Sequence, residues 1–349
     1  MAYTTINKSS DYFRTKIYTG NGTDDRDITW DESSNMQPDM LWSKGRSVID
    51  NHSIYDIVRG SGLELRTNTT DADLSRTNNI QALQTNGFQV GTDSQVNGNN
   101  STYVSWGWKA NGTGSANTDG SISSTVSANT TSGFSIVSYT GTGSNATVGH
   151  GLSSTPKMII VKNRTVSGFS WYTYHTSIGA TKNMYLNNTD TPVTASDRWN
   201  DTEPTSSVFS VGTNGGTNGS GNNMIAYCFA EKTGYSKIGS YTGNASDDGP
   251  FVYTGFKPAF VIIRRTDDPS GRDWFLLDIK RDTKNPVKQN LETNTTDAEV
   301  ASERCDFLSN GFKLTNGSGG SNASGANHIY MAFAEAPLVG SNNIPCTAR

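Results

Sequence analysis

The feature that most constrains this chain is an ordered set of landmarks that recurs three times along its 349 residues. Recurrence of that kind is the signature of a repeated structural unit. Tyr18-Thr-Gly-Asn-Gly22 returns as Tyr139-Thr-Gly-Thr-Gly143 and as Tyr241-Thr-Gly-Asn-Ala245. A proline then opens an apolar run: Pro38-Asp-Met-Leu-Trp-Ser-Lys44, Pro156-Lys-Met-Ile-Ile-Val-Lys162 and Pro258-Ala-Phe-Val-Ile-Ile-Arg264. Phe88, Phe209 and Phe312 follow, and each copy closes on an aromatic-rich segment: Tyr103–Trp108, Met224–Phe229 and Ile329–Phe333. From proline to phenylalanine is 50, 53 and 54 positions, and from there to the last aromatic is 20, 20 and 21.

Copies one and three also share Leu65-Arg-Thr-Asn-Thr-Thr-Asp-Ala72 and Leu291-Glu-Thr-Asn-Thr-Thr-Asp-Ala298, identical at seven of eight positions; copy two keeps Leu186-Asn-Asn-Thr-Asp190. The copies span 16–110, 134–233 and 234–337. Around them the expectation is an attachment arm over 1–15, a Gly/Ser/Thr/Asn linker over 111–133 and an extended tail over 338–349. A polar linker would let the first copy move against the directly joined second and third.

Within a copy the apolar runs are short and bounded by Gly, Asn, Ser or Pro, which is the strand pattern. Gly, Ser, Thr and Asn make up 154 of 349 residues and charged residues only 17%, so hydroxyls and amides solvate the surface. The fold class is therefore all-β: three tandem antiparallel β-sandwiches, jelly-roll-like, of about 100 residues each. Closing strands sort large from small residues, Val104/Trp106/Trp108 against Ser105/Gly107 and Ile225/Tyr227/Phe229 against Ala226/Cys228. The small faces predict close packing by a loop or another copy. Unbroken apolar runs around Val161 and Ile263 predict strands covered on both faces. Asn86-Gly87 and Asn310-Gly311 predict two-residue hairpin turns.

A net charge of −4 with scattered Lys and Arg argues against nucleic-acid binding. No apolar run approaches the length of a membrane span. The first residues lack the apolar stretch of a secretory signal. Cys228, Cys305 and Cys346 are odd in number and widely spaced, which predicts neither a disulfide framework nor a zinc site but synthesis in a reducing cytoplasm.

Chemistry-bearing motifs are sparse. His52, His150, His175 and His328 fall in no metal-binding spacing, and His175 aligns with Asp56 and Asp278. The pairs Asp24-Asp25, Asp247-Asp248 and Asp267-Asp268 read as turn residues before calcium ligands. No nucleophile elbow is present. Neither catalytic residue, cofactor nor metal is assigned. Trp171 and Trp274, at matching places after the proline, read as core. Trp30 and Trp199 lack counterparts and are candidates for a sugar or partner contact, or for a buried loop plug. Tyr3, Ile6, Tyr12 and Phe13 are the candidate contacts of the attachment arm.

The Tyr-Thr-Gly runs, the proline-led strand ending in Lys or Arg, Phe256-Lys-Pro-Ala-Phe260, the closing Ala-Phe-Ala-Glu335 and the opening Met-Ala-Tyr-Thr-Thr-Ile resemble repeated-domain, tail-fibre-like virion proteins of tailed bacteriophages, often marine. The resemblance covers nearly the whole chain and carries no active site. It implies a virion structural protein, made in the bacterial cytoplasm, that adheres to a host glycan or protein receptor. The alternatives are a capsid decoration or tail-adaptor protein and, more remotely, a polysaccharide-degrading enzyme. Partners would be other virion proteins and a homo-oligomer, a trimer by analogy with fibrous phage appendages.

Overall fold

The computed structural model of the chain describes residues 3–342. The chain is all-β: apart from single helical turns at Ser9–Asp11, Ser94–Asn97, Ser196–Trp199 and Gly215–Asn218, the regular structure described is strand, and each named strand pairs antiparallel. One sheet order recurs. The strand bearing Tyr-Thr-Gly pairs with the closing strand, the closing strand with the proline-led strand, and that with a fourth. The ranges are Phe13–Thr19, Thr102–Trp108, Met40–Gly45 and Ser53–Asp56; then Phe134–Thr140, Asn223–Phe229, Met158–Asn163 and Tyr172–His175; then Ser236–Thr242, Asn327–Pro337, Phe256–Arg265 and Phe275–Asp278.

Because successive side chains on a strand point to opposite faces, each closing strand serves two cores. Val104, Trp106 and Trp108, with Ile225, Tyr227, Phe229, Ile329, Met331 and Phe333, enter one shared central core. Trp108, Phe229 and Phe333 meet pairwise there, with ring centroids 6.5, 5.7 and 6.0 Å apart. The opposite face turns toward smaller outer strands. Arg26–Thr29, Gly87–Val90 and Ile80–Gln84 form one cover; Ala146–Gly149 and Val208–Val211 another; Phe251–Tyr253, Gly311–Leu314 and Val300–Leu308 a third. Beneath these covers Phe88, Phe209 and Phe312 are buried, each edge-on to the tyrosine of its Tyr-Thr-Gly run at 5.9, 6.1 and 6.0 Å.

Small closing-strand residues are therefore filled from within the chain. Gly107 lies against the Trp30 ring, and Ala226 and Cys228 are buried in the second outer core, so no flat surface is left there for a neighbouring molecule. The predicted hairpins form one residue earlier than expected. Gln84 pairs with Gly87 and Leu308 with Gly311, which makes Thr85-Asn86 and Ser309-Asn310 the turns. Each glycine instead begins a strand, where a Cβ would lie 2.1 Å from the carbonyl oxygen of Ile28 or Val252.

The Thr-Asn-Thr-Thr-Asp segments lie where the three parts of the molecule meet. The cation ending each proline-led strand is buried and donates to a backbone carbonyl of another copy: Lys44 to Thr296, Lys162 to Thr70 and Arg264 to Asp190. Trp171 Nε1 donates to the Arg66 carbonyl and Trp274 Nε1 to that of Tyr185, while His52 Nε2 lies 2.8 Å from the Glu292 carbonyl. At the fourth strand Tyr227 donates to Asp56 and Trp106 to Asp278, and His175 Nε2 meets the Tyr330 carbonyl. The contacts join copy one to two, two to three and three to one, so the ring is closed. The first copy is interlocked with both others, contrary to the mobility expected of it.

Two peripheral segments differ from expectation, and a third is described only in part. Residues 111–133 are not a free linker: Ser115–Asn117 and Ser124–Asn129 extend the second sheet, with Ser124–Asn129 paired residue for residue with 134–139. The amino-terminal segment is packed down, with Ile6 and Phe13 in the central core and Tyr12 against Tyr235. Of the expected tail, Leu338 donates its amide to the Gly255 carbonyl and Ser341 bonds Asn7; residues 343–349, including Cys346, lie outside the described residues.

Candidate functional site

At the end of each sheet away from the Trp108–Phe229–Phe333 cluster, the Tyr-Thr-Gly run turns into an exposed polar loop. Gly20, Gly141 and Gly243 pass so close to the loop before the closing strand that a Cβ would lie 2.2, 2.3 and 2.3 Å from its backbone oxygens. Only glycine admits that approach. The preceding tyrosine anchors the same junction through its hydroxyl: Tyr18 to the Val96 carbonyl at 2.8 Å, Tyr139 to Thr217 at 2.5 Å and Tyr241 to Ser321 at 2.5 Å.

One buried asparagine then holds each loop. Asn97 donates to the carbonyls of Thr23 and Gly91 at 2.7 and 2.8 Å and accepts from the Asn21 amide at 3.1 Å. Asn218 donates to Ser144 and Gly212 at 2.6 and 2.8 Å and accepts from the Thr142 amide at 2.8 Å. Asn322 donates to Ser246 and Asn316, both at 2.8 Å, and accepts from the Asn244 amide at 2.9 Å. Both amide hydrogens and the carbonyl are thus used inside the protein, where such bonds are strongest. The loops so fixed present exposed Asn21–Asp25, Thr142, Ser144, Asn145, Asn244, Ala245, Asp247 and Asp248 to solvent. What they offer is a prearranged set of hydroxyl, amide and carboxylate groups that pays little ordering entropy on binding.

These asparagines went unnoticed in the sequence among 34 of their kind, although each lies eleven positions before the last aromatic of its copy. Trp30 and Trp199, candidates for a contact or for a buried loop plug, are only 4% and 2% exposed. Trp30 donates its indole N–H to the Met36 carbonyl and packs on Phe88; Trp199 packs on Tyr174. Both are loop plugs, and neither offers a face to a ligand. Of the arm residues, Ile6 and Phe13 are core, and Tyr3 bonds the Gly255 carbonyl through its hydroxyl.

The remaining chemistry-bearing groups are built into the structure. The four histidines are buried and their pKa values lowered by desolvation, His175 and His328 to about 4. Burial pushes the Cys228 and Cys305 thiols up, away from the reactive thiolate. Asp267 and Asp268 pair with Arg265 and Arg272, and Asp248 with Lys313. Glu292 is pushed up to about 7 by burial beside Asp273. No group of His, Cys, Asp or Glu among the described residues is arranged to hold a metal ion, and no helix among them is long and apolar enough to cross a membrane.

A family model described as "Domain of unknown function (DUF7483)" matches residues 8–337, which takes in all three sequence copies and the ring of contacts between them. No curated protein and no solved structure is detectably similar to the chain.

Proposed function

This chain belongs to the DUF7483 family, and we propose that it is a structural protein of a tailed-bacteriophage virion whose exposed loops adhere to the host surface. The finer architecture in this reading is three tandem β-sandwich copies, 16–110, 134–233 and 234–337, closed about a pseudo-threefold axis. Their support is the recurring sheet order and the triangle of Trp108, Phe229 and Phe333. The observation that carries the functional reading is the threefold use of one buried asparagine to fix a solvent-facing polar loop. These bonds pair backbone carbonyls that folding would otherwise leave unsatisfied, and they also hold each solvent-facing loop in one arrangement, from which recognition gains. Three loops on one body also raise effective concentration at a repetitive surface.

A capsid-decoration or tail-adaptor role draws on a different observation. Phe13–Thr19 and Ser236–Thr242 are sheet edges, where another virion protein or a second copy of the chain adds a strand. The homo-oligomer, with a trimer as its first candidate, rests on the same edges.

The test is antibody labelling of phage particles together with binding of the purified chain to host cells. Labelled virions and cell binding without release of reducing sugar are expected, with binding weakened in the Asn97→Ala, Asn218→Ala and Asn322→Ala triple variant. Unlabelled particles overturn the virion assignment, labelled particles without cell binding favour the adaptor role, and released sugar favours an enzyme. Sedimentation at monomer mass at all concentrations overturns the oligomer.

A further inference from the structure

The chain has 34 aromatic side chains, all within the described residues, and only two of them are exposed: Phe251 at 46% and Tyr253 at 54%. They stand two positions apart on the edge strand Phe251–Tyr253, with Val252 between them turned into the core opposite Phe312. The corresponding partners of Phe88 and Phe209 are Ile28 and Val148, so the places of Phe251 and Tyr253 are held elsewhere by Asp27 and Thr29 and by Thr147 and Gly149. The same strand therefore forms with polar side chains, or none, at these sites. Packing does not ask for two rings here.

Each ring has support on one side. A Cβ on Gly311 would lie 3.0 Å from the Phe251 ring, so that ring lies across bare backbone. Tyr253 stands beside Gly255 and Tyr3, whose hydroxyl bonds the Gly255 carbonyl at 3.0 Å. Register places Lys313 opposite Phe251 and Asp306 opposite Lys313, so these charges share the solvent face with the rings; Lys313 also pairs with Asp248.

The size of the patch decides its occupant. A buried aromatic removes about 150–250 Å² from water, and roughly half of each ring is already covered. Some 200 Å² therefore remains for the pair, against ~800 Å² per partner in a stable protein interface. A small amphipathic ligand fits better. Two rings about 7 Å apart along a strand offer one stacking face to each of two neighbouring pyranoses, whose hydroxyls then reach the flanking charges. We infer that Phe251 and Tyr253 form a stacking platform for an oligosaccharide, with Lys313, Asp248 and Asp306 as hydrogen-bonding partners.

This site rests on the host-adhesion reading and names its ligand class. The test uses the full chain, its Phe251→Thr/Tyr253→Thr variant with side chains borrowed from Thr147 and Thr29, purified host envelope polysaccharide as probe, and intact cells in parallel. An unchanged unfolding midpoint checks the variant's fold. Polysaccharide binding by the parent and at least tenfold weaker binding by the variant are expected. Equal binding by both overturns the platform and leaves adhesion standing. Cell binding without polysaccharide binding overturns the sugar in favour of a protein receptor, and binding to neither overturns the adhesion reading as well.

Discussion

Asp56, His175 and Asp278 occupy one position in the three copies, and their neighbours explain why a histidine can replace a carboxylate. Asp56 pairs with Arg59 and Asp278 with Arg281, each three residues on, while the matching place in copy two is Ile178. Ser177 donates its amide to His175 Nδ1, as Arg59 and Arg281 donate theirs to the aspartates, so the proton sits on Nε2 and the ring is neutral. Charge has been removed as a pair. His175→Asp alone is therefore expected to cost about 3–5 kcal/mol, the range for an uncompensated buried charge; adding Ile178→Arg should recover much of it in a double-mutant cycle by chemical unfolding. The same ring sets a pH dependence. With its folded pKa at about 4, below the unfolded 6.5, His175 binds fewer protons folded than unfolded between those values. Stability is thus complete above pH 6.5 and falls as pH drops toward 4, by on the order of 3 kcal/mol for this group. Unfolding at pH 7.5 and 4.5 should show a smaller loss for the double variant. Truncating Phe312 to Ala, in a buried site, is expected to cost ~3–5 kcal/mol.

At the scale of elements, strand edges explain what the flanking segments do. Ser124–Asn129 covers the edge of Phe134–Thr140, which is why a largely polar stretch, Ser-Thr-Val-Ser-Ala-Asn, folds as strand instead of remaining a linker. The amino-terminal segment works by insertion: Thr4 and Ile6 are buried, and Tyr12 packs on Tyr235 of the third copy. Deleting residues 1–12 is therefore expected to lower the stability of the whole body, by about 2–4 kcal/mol, since burial of one isoleucine contributes ~1.5–3 kcal/mol and Tyr12 adds to it. An unchanged melting temperature would restore the separate-arm reading.

For the whole molecule, the central core and its ring of junction contacts mean that no copy keeps its inner face covered if another unfolds. Trp108 touches Phe229, Phe260 and Phe333, residues of both other copies. Calorimetry should accordingly show one cooperative transition, with calorimetric and van't Hoff enthalpies in agreement. Trp108→Ala should lower that single midpoint, by about 3–5 kcal/mol in stability, without splitting it. Three separable transitions would mean that the copies are independent.

Strand class, strand positions and the burial of Phe88, Phe209 and Phe312 were legible in the residues because local periodicity and turn chemistry govern them. The Tyr-Thr-Gly and Thr-Asn-Thr-Thr-Asp motifs were legible as recurrences but not as devices. Their partners lie in other copies or 78 to 80 residues away, and a linear pattern carries no distance between such groups. The two-faced closing strand shows the limit best: alternation predicts that Trp106 and Ser105 face different environments, yet which face meets the other copies depends on how three sheets close on one another. The same holds for Trp30, Phe13 and Tyr253. Hydrophobicity alone does not separate a ring that plugs a loop from one that faces water, because burial is a property of what the rest of the chain brings to that place.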